Sequence, residues 1–250
     1  MAPNPWFPFV KPGAGAALRL FALPYAGGGA SVYQAWRGRL PGGVELWAVQ
    51  LPGHETRLNE PLIGNLTTLT GALVEAMRGP LLDRPFVLFG HSLGALVAFE
   101  LARALRRASL PAPAHLLVSG CEPPPRPPSG TPLHTRPDAE LIAHLRKLNG
   151  TAPALLADAE YLSLLLPVFR KDLELAETYL AEPEPPLAMP LTAFGGLADS
   201  MPREALERWR AHTVRFGGAR LLPGHHFFLN THRELLLAAL SEVLAPLLRG

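Results

Sequence analysis

Residues 86–99 read Phe-Val-Leu-Phe-Gly-His-Ser-Leu-Gly-Ala-Leu-Val-Ala-Phe, a serine between two glycines where an apolar run meets a segment of helical character. This G-x-S-x-G spacing has a mechanical reason. A buried strand must turn into a helix within a few residues, which leaves the serine strained and exposed at the sheet edge. Gly90 and Gly94 remove the side chains that would collide there. The helix start also brings free N–H groups and a positive dipole end beside a reacting carbonyl. Ser92 is the candidate nucleophile. The competing reading is a small-residue turn that packs helix on strand.

A second glycine-rich stretch, Leu23-Pro24-Tyr25-Ala26-Gly27-Gly28-Gly29-Ala30-Ser31, follows an earlier apolar run. A dinucleotide fingerprint fails, because Val32 stands at the third glycine position and Gln50 where the ribose-binding acid belongs. A phosphate loop fails for want of Gly-Lys-Ser/Thr. What remains is half of an oxyanion hole, with the Ala26 N–H as one donor and the Leu93 N–H, just after the nucleophile, as the other. A plain flexible turn is the alternative for Gly28 and Gly29.

A serine nucleophile needs a base, and the base needs an orienter, in chain order Ser, acid, His for this arrangement. Asp199 lies on the loop after the apolar run 191–194 and is the candidate acid; its other reading is a cap for the helix beginning near Pro202. Asp138, Asp158 and Asp172 fall in an inserted segment, poorly placed for that role. Leu221-Leu-Pro-Gly-His225-His226-Phe-Phe offers two candidate bases, one residue apart. The remaining histidines, at 54, 115, 134, 144, 212 and 232, show no metal-ligand spacing, so no metal is expected.

Candidate strands at 18–23, 44–49, 86–89, 115–119, 191–194 and 219–222 alternate with candidate helices near 32–39, 66–78, 93–107, 203–215 and 232–248. Near-continuously apolar strands alternating with helices predict an α/β fold: a mostly parallel sheet covered on both faces. The order breaks after 119, where two helical segments, near 138–148 and 158–180, lie between proline clusters. The expected organisation is a core of 1–122 and 191–250 with a helical insertion over 123–190. Positions 111–137 carry nine prolines and 181–190 four, which makes these stretches stiff, extended hinges. The insertion's many leucines either pack it on the core or line an apolar channel beneath a lid.

The 250 residues carry 28 prolines and 23 glycines, about a fifth of the chain against an ordinary share of roughly 12%. At 48% apolar and only 18% charged, the chain is nevertheless too apolar for disorder. A net charge of +2 is no footprint for nucleic acid, and the lone Cys121 rules out an internal disulfide framework. No apolar run reaches the roughly 18 residues of a membrane span. Arg19 and the prolines at 3, 5, 8 and 12 break up what could pass for a secretory leader, so the expected compartment is the cytoplasm. Nothing marks a self-complementary surface, and a monomer is expected.

Taken with Pro5-Trp6-Phe7, Gln50-Leu-Pro-Gly-His54-Glu-Thr-Arg57 and Pro137-Asp-Ala-Glu-Leu141, these motifs resemble the type II thioesterases over essentially the whole chain. Those are stand-alone α/β-hydrolases that accompany polyketide synthases and non-ribosomal peptide synthetases. The resemblance assigns the base to His226, since the family's histidine immediately precedes a Phe-Phe pair, and leaves His225 as its variable neighbour. It places the acid at Asp199, the second acid of a Gly-Asp-x-Asp segment whose first acid is here Leu197. His54 stands where an arginine is common in the family.

The resemblance implies hydrolysis of acyl groups from the phosphopantetheine arm of acyl or peptidyl carrier domains, clearing stalled or wrongly primed chains. It implies no cofactor beyond that arm on the partner. From the residues alone the expectation stops at a serine hydrolase. Competing readings are a medium-chain fatty acyl carrier thioesterase, an oxygen-ester lipase or esterase, and a carrier-binding module without catalysis.

Overall fold

The computed structural model describes residues 4–10, 15–125 and 130–249. Pro3, Pro12, Pro127 and Pro128 of the proline-rich stretches lie outside the described residues. Six strands form one sheet: β1 (Leu18–Leu23), β2 (Val44–Ala48), β3 (Phe86–His91), β4 (His115–Ser119), β5 (Leu187–Gly196) and β6 (Thr213–Leu222). Their order is β2-β1-β3-β4-β5-β6, and every neighbouring pair is parallel. The helices are α1 (Leu66–Met77), α2 (Leu93–Arg107), α3 (Asp138–Leu148), α4 (Ala159–Glu177), α5 (Arg203–Glu207), α6 (Phe228–Thr231) and α7 (Arg233–Leu247).

The apolar strands are buried on both sides because successive side chains point to opposite faces. Phe21, Leu23, Leu88, Leu116 and Leu191 join a core under α1 and α2. Leu20, Ala22, Val87, Phe89 and Leu117 join a second core under α7 and a 3-10 turn, Ala30–Trp36. The expected helix at 32–39 is that 3-10 turn. At the N-terminus of α1, the Asn65 side chain accepts the Thr68 N–H.

One element differs from expectation. The helical reading of 203–215 holds only for α5 and the short turn after it, because β6 starts at Thr213. β6 is an edge strand paired to β5 alone, and Val214 and Arg215 face solvent, so it lacks the continuous apolar run of a central strand.

Between β4 and β5, α3, α4 and the 3-10 turn Leu155–Ala157 between them build a small apolar cluster of their own from Leu141, Leu145, Leu156, Leu166 and Phe169. Asp158 caps α4 by accepting the N–H groups of Glu160 and Tyr161. The return path to β5 is anchored rather than loose. Glu184 is held by Arg103, Arg106 and Arg107 of α2, and Arg106 also donates to the Pro185 carbonyl at 2.8 Å. Partial burial works against ionisation, but the three guanidinium groups outweigh it and pull the Glu184 carboxyl down to about 2.

Candidate active site

Ser92 sits between the end of β3 and the first residue of α2 with φ 54° and ψ −118°, backbone that a side-chain-bearing residue rarely adopts. The turn is over-determined by its neighbours. A Cβ on Gly90 would lie 1.9 Å from the Gly94 carbonyl oxygen, and one on Gly94 would lie 2.2 Å from that of Leu23. The Ser92 N–H is tied to the Ser119 carbonyl at 2.8 Å, which fixes the turn to β4.

The glycine-rich loop after β1 runs alongside. Its Gly28 N–H closes a turn on the Tyr25 carbonyl at 2.9 Å, and Gly27 has φ +74°. Among the described residues no acceptor is found for the N–H of Ala26 or of Leu93, the two amides singled out as oxyanion donors. Free, preset N–H groups beside a nucleophile are what a developing oxyanion requires.

Of the histidine pair, His226 turns Nδ1 to Asp199 Oδ2 at 2.9 Å. His225 is exposed and its Nδ1 meets the Ala198 carbonyl instead. Burial alone would raise the Asp199 carboxyl, but the His226 hydrogen bond and charge and the Met201 and Ser200 amides lower it. Beneath His226 lies the fully buried His91, ring centroids 5.0 Å apart, with its Nδ1 2.9 Å from Ser119 Oγ. Burial, and then the charge of His226, hold His91 well below the ordinary histidine value, so it is a neutral packing partner.

Ser92, Asp199 and His226 line one cavity of about 460 Å³. No direct hydrogen bond joins Ser92 to His226 among the described residues; both open onto the same space, and such bonds commonly tighten only with substrate. The opposite wall comes from the insertion, with Leu145, Leu148, Leu165 and Phe169 facing in. Among the described residues no cluster of His, Cys, Asp or Glu has the grouping to hold a metal ion.

The family model of the thioesterase domain matches residues 18–244. The chain belongs to that family. It is 41% identical to the gramicidin S biosynthesis protein GrsT of Aneurinibacillus migulanus, over 97% of this chain and 96% of the relative. The thioesterase RedJ from the prodiginine pathway of Streptomyces coelicolor superposes with a TM-score of 0.85 at 40% identity, covering 95% of this chain and 97% of RedJ. BorB, a type II thioesterase from the borrelidin cluster, superposes with a TM-score of 0.83 at 36% identity over 93% and 94% of the two chains.

The fold of this thioesterase also brings to the glycine loop an acid that the sequence reading set aside. Asp138 pairs with Arg170 and Asp158 caps α4, but Asp172 is 2% exposed and reaches the glycine loop. Its Oδ2 accepts the Gly27 N–H at 2.7 Å and lies 2.9 Å from His54 Nε2. The signal available in the sequence was His54 at an arginine position; the partner lies 118 residues away and carried no mark. Leu197, at the other departure from the family pattern, is exposed.

Proposed function

We propose that this thioesterase hydrolyses acyl groups from the phosphopantetheine arm of acyl or peptidyl carrier domains, by a Ser92–His226–Asp199 acyl-enzyme mechanism that clears stalled or misprimed chains. The observation that carries the reading is the shared cavity: the nucleophile, the acid–base pair and the apolar face of the insertion enclose one space. The names of GrsT, RedJ and BorB point to assembly-line biosynthesis and support the carrier-bound substrate.

In the first step His226 Nε2 takes the hydroxyl proton as Ser92 Oγ bonds to the thioester carbon. The oxyanion is received by the N–H groups of Ala26 and Leu93, donors worth about 10² to 10³ in rate each. The C–S bond breaks and the thiol leaves with the proton from His226. Water then gives its proton to the same histidine and attacks the acyl-serine, releasing the acid and restoring Ser92. Asp199 keeps Nδ1 protonated and the ring aligned throughout. The acyl tail lies against α3 and α4, which act as a lid, and the chemistry calls on no cofactor besides the partner's arm. The working form is a cytoplasmic monomer.

Mass spectrometry of several acyl-loaded carrier domains, incubated with wild-type and Ser92→Ala protein, tests this. Wild type returns free carrier thiol across short and aberrant acyl groups, and Ser92→Ala does not, while still binding the carrier. A sharp optimum at one medium chain length would move the assignment to fatty acid release. Faster turnover of oxygen esters would move it to an esterase. Full activity in Ser92→Ala would remove the mechanism.

A further inference from the structure

We propose that Asp172, delivered by the insertion, is a positioning residue for the oxyanion loop, and that the His54 imidazolium holds its carboxylate in place. This role rests on the function proposed above, in that the loop at 25–29 is taken to supply one oxyanion donor.

Three residues of α4 face the loop together. Leu165, Phe169 and Asp172 are spaced i, i+4 and i+7, one face of a helix. A Cβ on Gly27 would stand 3.2 Å from Leu165 Cδ1 and 3.4 Å from Phe169 Cδ2, so the helix rests directly on that glycine. The Gly27 N–H goes to Asp172 Oδ2, and that carboxylate is its only acceptor among the described residues. The peptide carrying this N–H directly follows the one that presents the Ala26 N–H, so fixing one plane aims the next. Undocking α4 releases the Gly27 N–H and lets the Ala26 donor turn away.

The charge state follows from the partners. His54 Nδ1 is 2.9 Å from the Pro52 carbonyl oxygen and Nε2 is 2.9 Å from Asp172 Oδ2. A carbonyl and a carboxylate both accept, so both ring nitrogens carry hydrogen and the ring is cationic. The same Asp172 oxygen takes the Gly27 N–H at 2.7 Å, the length of a charge-assisted bond. Burial alone lowers the His54 value, but Asp172, the Pro52 carbonyl and Glu55 together raise it above the ordinary one. The other charges nearby are engaged elsewhere: Arg57 with Glu60 and the Gln50 carbonyl, Lys171 with Glu174. A histidine whose proton is held more tightly in the docked state stabilises that state fully below its free value of about 6.5. The stabilisation is lost as pH rises through the raised docked value.

The test uses the full chain with an acyl N-acetylcysteamine thioester, an acyl-loaded carrier domain, and a fluorophosphonate that labels the active serine. Asp172→Asn is expected to lower kcat at least about tenfold with little change in KM, as a misaimed oxyanion donor should. Wild type loses kcat on the alkaline side, and His54→Arg, with a permanent charge, lacks that loss. Wild-type kcat in Asp172→Asn, or the same alkaline loss in His54→Arg, would overturn the proposal. If Asp172→Asn does not fold, the His54→Arg profile decides alone. If wild type spares thioesters yet Asp172→Asn slows fluorophosphonate labelling, the thioester reading fails and the positioning role stands. If thioesters are cleaved and labelling and kcat are unchanged in Asp172→Asn, the positioning role fails and the thioester reading stands.

Discussion

Gly94 lies so close to the end of the first strand that a Cβ on it would stand 2.2 Å from the carbonyl oxygen of Leu23 and 2.6 Å from that of Pro24. Both obstacles are backbone, which has no rotamer by which to move aside. Gly94→Ala is therefore expected to destabilise the fold by about 3 kcal/mol, the upper end of overpacking strain. A urea titration reads this directly, and an unchanged midpoint would show that the elbow is less constrained than its geometry indicates.

Asp199 Oδ2 lies 2.9 Å from His226 Nδ1, the contact that the proposed mechanism uses to orient the base. Asp199→Asn keeps the shape and removes the charge, and kcat is expected to fall by about 10³ to 10⁴, with KM little changed. Steady-state kinetics on an acyl thioester measures it. A fall of less than tenfold would assign Asp199 to capping instead.

His115, at the start of β4, is buried and its Nε2 lies 2.9 Å from Thr192 Oγ1. Burial first, then the Arg220 and Arg215 charges, lower it to about 4. The unfolded chain takes up this proton near 6.5, while the folded chain does so only near 4. Its contribution to stability is thus present above the unfolded value and is lost as pH falls toward the folded one. His115→Gln is expected to flatten the part of the Tm-against-pH curve between those values, measured by calorimetry.

Leu165 lines the cavity and touches Gly27. Leu165→Ala is expected to favour longer acyl chains and Leu165→Trp shorter ones. The ratio of kcat/KM for long over short chains should change by at least about tenfold, the low end of what a methylene is worth in an apolar pocket. A length profile that neither variant moves would place the acyl tail elsewhere.

The insertion's own cluster is small beside the two cores that clamp the sheet. Its amides are expected to exchange with deuterium faster than those of β3 and α2, because local opening there exposes little apolar surface. Exchange of α3 and α4 as slow as that of the sheet would argue against a lid.

The strand–turn–helix around Ser92 was legible in the sequence because it is a local device. An apolar run, two glycines at fixed offsets and a helical segment all act within about a dozen residues. The apolar strands were legible for a similar reason, since burial on both faces leaves a continuous run that needs no partner to be seen. Of the edge strand β6 only 219–222 was, because the first part of the strand carries exposed side chains and its identity lies in its pairing with β5.

What only the tertiary structure decided are the contacts between distant parts of the chain. Nothing in the residues His225-His226 themselves says which ring meets Asp199; the fold turns one to the carboxylate and the other to the Ala198 carbonyl. The family resemblance chose His226 without giving a geometric reason. Asp172, set aside as a triad acid because it falls in the insertion, becomes a buried partner of Gly27 and His54 only when α4 settles on the glycine loop. Hydrogen bonds act over about 3 Å of space regardless of separation along the chain. The sequence therefore determined the types of chemistry available, and tertiary packing determined which groups share it.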